Sequence, residues 1–151
     1  MTILVINSGS SSLKFQVIDS ENEEVLAKGV CERIGIDGRF TYRTRTGISL
    51  KEAVPMKNHT QAVHTLLDTL ADPEKGVIKD FREIDVIGHR LVHGGEKFTG
   101  SVVITDEVTQ AMTECNDLAP LHNPANLVGV EACRKLMPDT LMVGVFDTAF
   151  N

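Results

Sequence analysis

Hydrophobic and polar positions change their period along the chain. Residues 3–6 are apolar at every position, which is typical of a strand covered on both faces. From Ser12 onward apolar and polar side chains alternate, and two further strand-like runs, 24–33 and 39–46, follow polar or glycine-containing turns. Alternation predicts strands with one buried face. The first third of the chain therefore predicts an antiparallel meander.

Helical spacing replaces alternation after the meander. Residues 58–71 carry apolar side chains three and four positions apart and end shortly before Pro73, which predicts an amphipathic helix. A second helix is predicted to begin at Thr105, an N-cap residue followed by two acidic side chains. A third is predicted from Asn123, because a cap residue followed by proline opens a helix.

Short apolar runs at 84–87, 101–104 and 141–146 predict further strands between these helices. A meander followed by alternating helices and strands indicates an α/β fold, in which helices flank a mixed β-sheet.

Composition narrows the class of protein. The chain has 151 residues, of which 42% are hydrophobic, enough for one domain with a full core. Its net charge of -6 and the lack of a basic cluster in the sequence argue against binding nucleic acid or an anionic membrane surface. No apolar run approaches the roughly 20 residues of a membrane span, and no secretory signal is visible. Three cysteines without CxxC spacing favour a reducing cytoplasm.

The segment NSGSSSLK, which begins at Asn7, is a candidate phosphate-binding loop. It lacks the Walker A pattern and is followed by alternation rather than helical spacing, which excludes a P-loop. Wherever the segment is extended, Ser10, Ser12 and Lys14 would share one face. Gly9 permits the dihedral angles of an anion nest, and Asn7 could orient a metal-bound water. A serine-rich hairpin that hydrogen-bonds its own backbone would have the same composition.

The segment HRLVHGGE, which begins at His89, is the second dense stretch of polar residues. Arg90, near the end of a predicted strand, could offer a bidentate fork to a carboxylate or phosphate, or form a structural ion pair. On a strand, His89 and His93 would lie roughly 13 Å apart at about 3.3 Å per residue. This separation argues against a shared zinc ion and favours packed or supporting histidines.

Two other polar residues lie at the ends of predicted elements. His122 directly precedes the helix predicted from Asn123, where a helix dipole favours an anion; it could equally support the cap. Asp147 follows the strand predicted at 141–146, where open α/β sheets place ligand-facing groups. It could hold magnesium through water or cap a helix.

Four stretches together resemble the acetate kinase family, the short-chain carboxylate kinases of the sugar-kinase and actin superfamily. They are residues 3–15 (ILVINSGSSSLKF), 89–96 (HRLVHGGE), 118–126 (LAPLHNPAN) and 145–150 (VFDTAF). The resemblance runs in order from end to end. It implies a ribonuclease H-like domain and reversible transfer of the γ-phosphoryl group of ATP to acetate, with Mg²⁺ or Mn²⁺, giving acetyl phosphate and ADP.

The resemblance also implies a phosphate and metal site. Asn7 would belong to the metal and phosphate site, and Ser10, Ser12 and Lys14 would form the phosphate-binding loop. Asp147 would be the active-site carboxylate that acts with the metal. A carboxylate substrate is already a nucleophile when ionised, so the metal is a better assignment for Asp147 than proton abstraction.

The acetate site follows from the same resemblance. Arg90 would bind the carboxylate or acyl phosphate, and His122 would help to hold the phosphoryl group. Val92 and Leu121 would line the small apolar pocket for the acetate methyl group. Propionate kinase shares these motifs, and a phosphate-binding module without turnover is a further alternative.

The resemblance covers one part of a two-domain kinase. The family's second half carries the adenosine pocket and further catalytic residues, so we expect residues 1–151 to be the N-terminal domain and to be inactive alone. Asn151 stands where the family commonly has histidine. The full-length enzyme is expected to be a cytoplasmic homodimer.

Overall fold

A computed structural model describes residues 1–91, 101–105 and 123–146. Within these ranges the chain forms eight strands, two helices and one 3-10 turn at Phe81–Glu83. The strands are β1 (Thr2–Ser8), β2 (Leu13–Asp19), β3 (Glu24–Glu32), β4 (Arg39–Thr44), β5 (Ser49–Glu52), β6 (Ile84–Leu91), β7 (Ser101–Val103) and β8 (Leu141–Phe146). The helices are α1 (His59–Leu70) and α2 (Asn123–Leu136).

All eight strands belong to one sheet, in the order β5-β4-β3-β2-β1-β6-β8-β7. Strands β1 to β5 pair with their sequence neighbours in antiparallel register, which confirms the predicted meander. Strand β6 pairs in parallel with β1 and with β8, and β7 closes the edge antiparallel to β8. The mixed α/β sheet is therefore confirmed.

One face of the sheet carries the core. On the meander, Phe15, Phe40 and Tyr42 stack with ring centroids 6.1 to 6.4 Å apart, close to the separation that favours aromatic pairs. The Tyr42 hydroxyl donates to the Lys75 carbonyl over 2.8 Å. Tyr42 is fully buried, so its ring belongs to the core.

The two helices pack together on this core. The Asn58 side chain accepts a hydrogen bond from the Gln61 N–H over 2.9 Å and so caps α1. Helix α2 begins at Asn123, contacts α1, β1 and β6, and carries Arg134 in its last turn, where a cation is favourable. The helices predicted at 58–71 and from Asn123 are therefore confirmed. Neither is long and apolar enough to cross a bilayer.

Three elements differ from the sequence-based expectation. Strand β5 was not predicted, and β6 continues to Leu91, beyond the predicted 84–87 run. In β1, Leu4 and Ile6 are buried while the alternate side chains are only half-buried, so the strand is fully covered on one face. The helix predicted from Thr105 falls in 106–122, outside the described residues.

Candidate functional site

A groove of about 250 Å³ lies where β2, β1 and β6 run side by side. Its lining residues are Val5, Asn7, Lys14, Phe15, Gln16 and Arg90. Asn7 is the register partner of Lys14. Ile6 is the partner of His89, so Arg90 comes next along β6, beside Asn7. Three of the predicted site residues, Asn7, Lys14 and Arg90, therefore line one groove.

The strand period explains why these polar side chains share a face. In β1 the buried residues Leu4 and Ile6 alternate with Val5 and Asn7, and successive side chains point to opposite faces of a sheet. Asn7, Lys14 and Arg90 are all exposed. An ammonium, a guanidinium and an amide on one groove provide hydrogen-bond donors for an anion.

The turn between β1 and β2 is held from several sides. Its backbone closes through a 2.8 Å hydrogen bond from the Gly9 N–H to the Ser12 carbonyl. His59 Nε2 lies 2.7 Å from the Gly9 carbonyl, and because a carbonyl only accepts, Nε2 carries the proton. Asn126 Nδ2 donates to the Ser8 carbonyl over 2.9 Å, and the Ile34 N–H donates to the Ser11 carbonyl. Both helices thus help to fix this turn.

The serines of the turn do not line the groove with Lys14. Regular alternation begins only at Leu13, where β2 starts, so the shared face expected for an extended loop does not include Ser10. Ser10 is exposed and Ser12 half-buried, next to the groove along the chain. Their proposed contact with phosphate stays a prediction.

Gly9 supports the turn through its small size. It is not among the described residues with a positive φ, so the dihedral angles of an anion nest that glycine would permit are not adopted here. A Cβ at this position would come within 2.8 Å of Ser12 Oγ. Glycine therefore allows the turn to close tightly.

Two buried polar side chains lie behind the groove. Ser8 directly follows Asn7 in sequence, and His89 directly precedes Arg90. Ser8 and His89 nevertheless belong to the core face. Within the described ranges, Ser8 Oγ and His89 Nε2 have no hydrogen-bond partner. Burial lowers the pKa of His89 to about 4, so the imidazole is neutral near pH 7. This confirms a packed histidine at His89, whereas His93 lies outside the described residues.

Four other predicted site residues also lie outside the described ranges. They are Val92, Leu121, His122 and Asp147. The same holds for Asn151. Their assigned roles stay predictions.

The described residues can be compared with what a magnesium ion requires. They contain no group of three or more His, Cys, Asp or Glu side chains that could hold a metal. Asn7 offers one amide oxygen at the groove, beside the cations Lys14 and Arg90. Mg²⁺ commonly binds through one or two carboxylates, substrate phosphates and water. The described lining of the groove supplies no carboxylate, so a metal bound here would depend on the phosphate oxygens of a ligand.

Some residues that build the site were not assigned a role from sequence. Gln16 lines the groove, and His59 and Asn126 fix the turn. Asn126 belongs to the stretch 118–126 that carried the family resemblance, which was the available signal. Nothing in the sequence around His59 indicated that it contacts Gly9.

Comparison with known proteins gives a consistent result along the whole chain. A family described as the acetokinase family matches residues 2–151. The chain is 60% identical to acetate kinase of Agathobacter rectalis over 153 residues, and 56% identical to that of Clostridioides difficile. All of this chain but only 38% of each relative is covered. The chain therefore spans a little over a third of the length of these relatives.

The comparison with solved structures gives the same result as the comparison of sequences. Acetate kinase of Porphyromonas gingivalis superimposes with a TM-score of 0.93 at 48% identity, covering 99% of this chain and 38% of that one. A propionate kinase of Francisella tularensis superimposes with a TM-score of 0.88 at 34% identity, covering 99% and 37%.

Proposed function

Because this chain belongs to the acetokinase family, we propose that it is the N-terminal part of an acetate kinase. The reaction is reversible transfer of the γ-phosphoryl group of ATP to acetate, giving acetyl phosphate and ADP. The observation that carries the proposal is the groove in which Asn7, Lys14 and Arg90 converge from three adjacent strands. The relatives named acetate kinase, at up to 60% identity, support it.

The groove offers part of what this reaction requires. In-line phosphoryl transfer places negative charge on the equatorial oxygens, and positioned donors and cations stabilise that charge. Lys14 interacts with the phosphate groups, and Ser10 and Ser12 add hydroxyl donors from the adjacent turn. Arg90 holds the carboxylate of acetate or of the acyl phosphate, since its planar fork matches a carboxylate. An ionised carboxylate attacks without a general base.

The remaining assignments belong to the same proposal. Asn7 and Asp147 would hold Mg²⁺ or Mn²⁺, which neutralises phosphate charge when bound. His122 would help to hold the phosphoryl group. Val92 and Leu121 would line the pocket for the acetate methyl group and so determine the size of the acyl substrate.

Propionate kinase is the second candidate function, and the observation that favours it is the structural match to a propionate kinase. That match is weaker in identity than the match to an acetate kinase, 34% against 48%. One extra methylene in an apolar pocket changes specificity by about 1–3 kcal/mol. Kinetics on both acids therefore separate the two.

The proposal includes a cytoplasmic homodimer for the full-length protein. Cys31 and Cys133 are free and buried, and burial raises the pKa of each thiol to about 12. Unpaired, protonated cysteines suit a reducing compartment.

The homodimer is tested by measuring the molecular mass of the full-length protein in solution.

The test measures acyl phosphate formation from ATP and either acetate or propionate. We expect the full-length protein to form acetyl phosphate and to have a higher kcat/KM on acetate than on propionate. The 151-residue chain alone should form none. A non-catalytic phosphate-binding module is the conclusion if the full-length protein forms neither product but still binds ATP, whereas a higher kcat/KM on propionate assigns a propionate kinase.

A further inference from the structure

A second cavity lies beside the groove on the same face of the meander. It measures about 280 Å³ and is lined by Gln16, Val25, Ala27, Lys28, Arg43, Thr44 and Arg45. Gln16 also lines the groove that holds Asn7 and Arg90, so the two cavities share this residue. The second cavity by itself is slightly smaller than typical small-molecule sites, which measure about 300–1,000 Å³.

The sheet register places two cations directly opposite each other in this cavity. Gln16 pairs with Lys28, and Lys28 pairs with Arg43, so the three side chains form one row across β2, β3 and β4. Directly opposed side chains have Cβ atoms about 4.5–5.5 Å apart, and like charges at that distance destabilise a sheet. The register therefore brings two like-charged side chains to opposed positions of the sheet.

No described carboxylate neutralises this pair. Arg45 forms an ion pair with Glu24 at one end of the cavity, but no described acidic oxygen lies within the ion-pair distance of Lys28 or Arg43. A different cavity of about 470 Å³ is also lined by basic side chains, but there Arg33 forms an ion pair with Asp37. The Lys28–Arg43 pair is notable in a chain whose net charge is -6.

We propose that Gln16, Lys28 and Arg43 form a second anion subsite, which binds a small polyanion of the phosphate type. The Arg43 guanidinium offers a fork that matches phosphate oxygens, and the Lys28 ammonium adds a compact charge. Gln16 contributes an amide donor. All three side chains are exposed, so the ligand reaches them without any change of the sheet.

The cavity's dimensions favour a small ligand over an acidic protein segment. The subsite is a short row across three strands and shares Gln16 with the groove. Lys14 is the diagonal neighbour of Lys28, because Lys14 pairs with Val30, and diagonal neighbours lie about 7–8 Å apart. A compact chain of phosphate groups fits this spacing of charges. The subsite itself requires no phosphoryl transfer.

The test is calorimetric titration of the full-length protein with inorganic tripolyphosphate. Because the groove at Lys14 is itself proposed to bind phosphate, all variants carry Lys14→Ala. We expect the Lys14→Ala protein to retain tripolyphosphate binding. Replacing Lys28 and Arg43 together with glutamine, written Lys28→Gln/Arg43→Gln, should weaken the affinity at least about tenfold, since hydrogen bonds to charged groups are lost. Lys57→Gln, an exposed lysine between β5 and α1, is the control and should change the affinity less than twofold.

Thermal unfolding without ligand checks that the variants fold. Lys28→Gln removes one of two like charges at opposed positions of the sheet. The midpoint of thermal unfolding of this variant should therefore equal or exceed that of the Lys14→Ala parent. Equal affinity in the Lys28→Gln/Arg43→Gln and Lys57→Gln proteins would overturn the subsite, as would loss of all tripolyphosphate binding in the Lys14→Ala background. A hexaglutamate peptide that binds more tightly through Lys28 and Arg43 would overturn the phosphate assignment.

Discussion

The two faces of the meander carry different chemistry although their side chains alternate along the same strands. One face holds Phe15, Phe40 and Tyr42, stacked and buried. The other holds exposed cations such as Lys14 and Lys28, neighbours of core residues in sequence. Because strand side chains have a period of two, one short segment supplies both stability and a binding surface. Substitutions one residue apart should therefore change different measured quantities.

The largest effect is expected from the core face. Phe40→Ala should lower the free energy of unfolding of the full-length protein by about 3–5 kcal/mol, because it removes a buried ring and leaves a cavity. Arg39→Ala, its exposed neighbour, is the control and should change that free energy by less than about 0.5 kcal/mol. Urea denaturation measures both. Similar losses in the two variants would contradict the separation of the faces.

The next effect is on catalysis, from the exposed face. Arg90→Ala should cost about 2–4 kcal/mol of transition-state stabilisation, the scale for losing one preorganised donor. Arg82→Ala is a matched control, since Arg82 is exposed and bound to Asp80 away from the groove. The measurement is kcat/KM for acetate and ATP. An unchanged kcat/KM in the Arg90 variant would remove this residue from the site.

A pH effect is expected from His89, which precedes Arg90 but lies on the core face. Its pKa is about 4 when folded against 6.5 for an ordinary histidine, because burial disfavours the charged form. The unfolded chain therefore binds the proton more readily, and stability should fall as pH drops from about 6.5 towards 4. The loss attributable to this group is at most about 3 kcal/mol.

The check compares unfolding free energies at pH 7 and pH 5 in the native protein and in His89→Gln. The difference between the two pH values should be smaller in the variant, whose residue 89 does not titrate. The same difference in both proteins would show that His89 does not contribute to it.

The smallest effect is expected behind the turn. Gly129→Ala should destabilise the full-length protein by about 1–3 kcal/mol, the scale for overpacking, because a Cβ there would come within 2.6 Å of Ser8 Cβ. Val128→Ala, at an exposed position of the same helix, should cost less. The measurement is again urea denaturation. If Gly129→Ala stabilised the protein, as helix propensity alone predicts, the close contact with Ser8 would be refuted.

Much of the fold could be predicted from the sequence because local patterns determined it. Alternation identified the meander, and helical spacing identified α1, which the structure shows to be capped by Asn58. Strand β5 was missed because its four residues contain one apolar side chain, Leu50, and its pairing with β4 defines it. Strand β6 extends through polar residues because β1 and β8 pair with it on both sides.

The candidate site was less predictable. The pairing of Asn7 with Lys14 follows from a hairpin, which periodicity can indicate. The position of Arg90 beside them depends on a parallel pairing of β1 with β6, and no local pattern determines which distant strand pairs with which. Only the family resemblance linked these residues. The Lys28–Arg43 pair could not be predicted for the same reason, since basic residues far apart in sequence do not form a visible cluster.

The most direct test of the central claim, that Lys14 and Arg90 act together on the reacting groups bound in one groove, is a double-mutant cycle on kcat/KM in the full-length protein. It compares Lys14→Ala, Arg90→Ala and the double variant with the native protein in acetyl phosphate formation. We expect the two losses to be non-additive, with a coupling energy of about 0.5–3 kcal/mol, as for residues that share a partner. Losses that add to within about 0.3–0.5 kcal/mol would contradict joint action of Lys14 and Arg90 on the reacting groups.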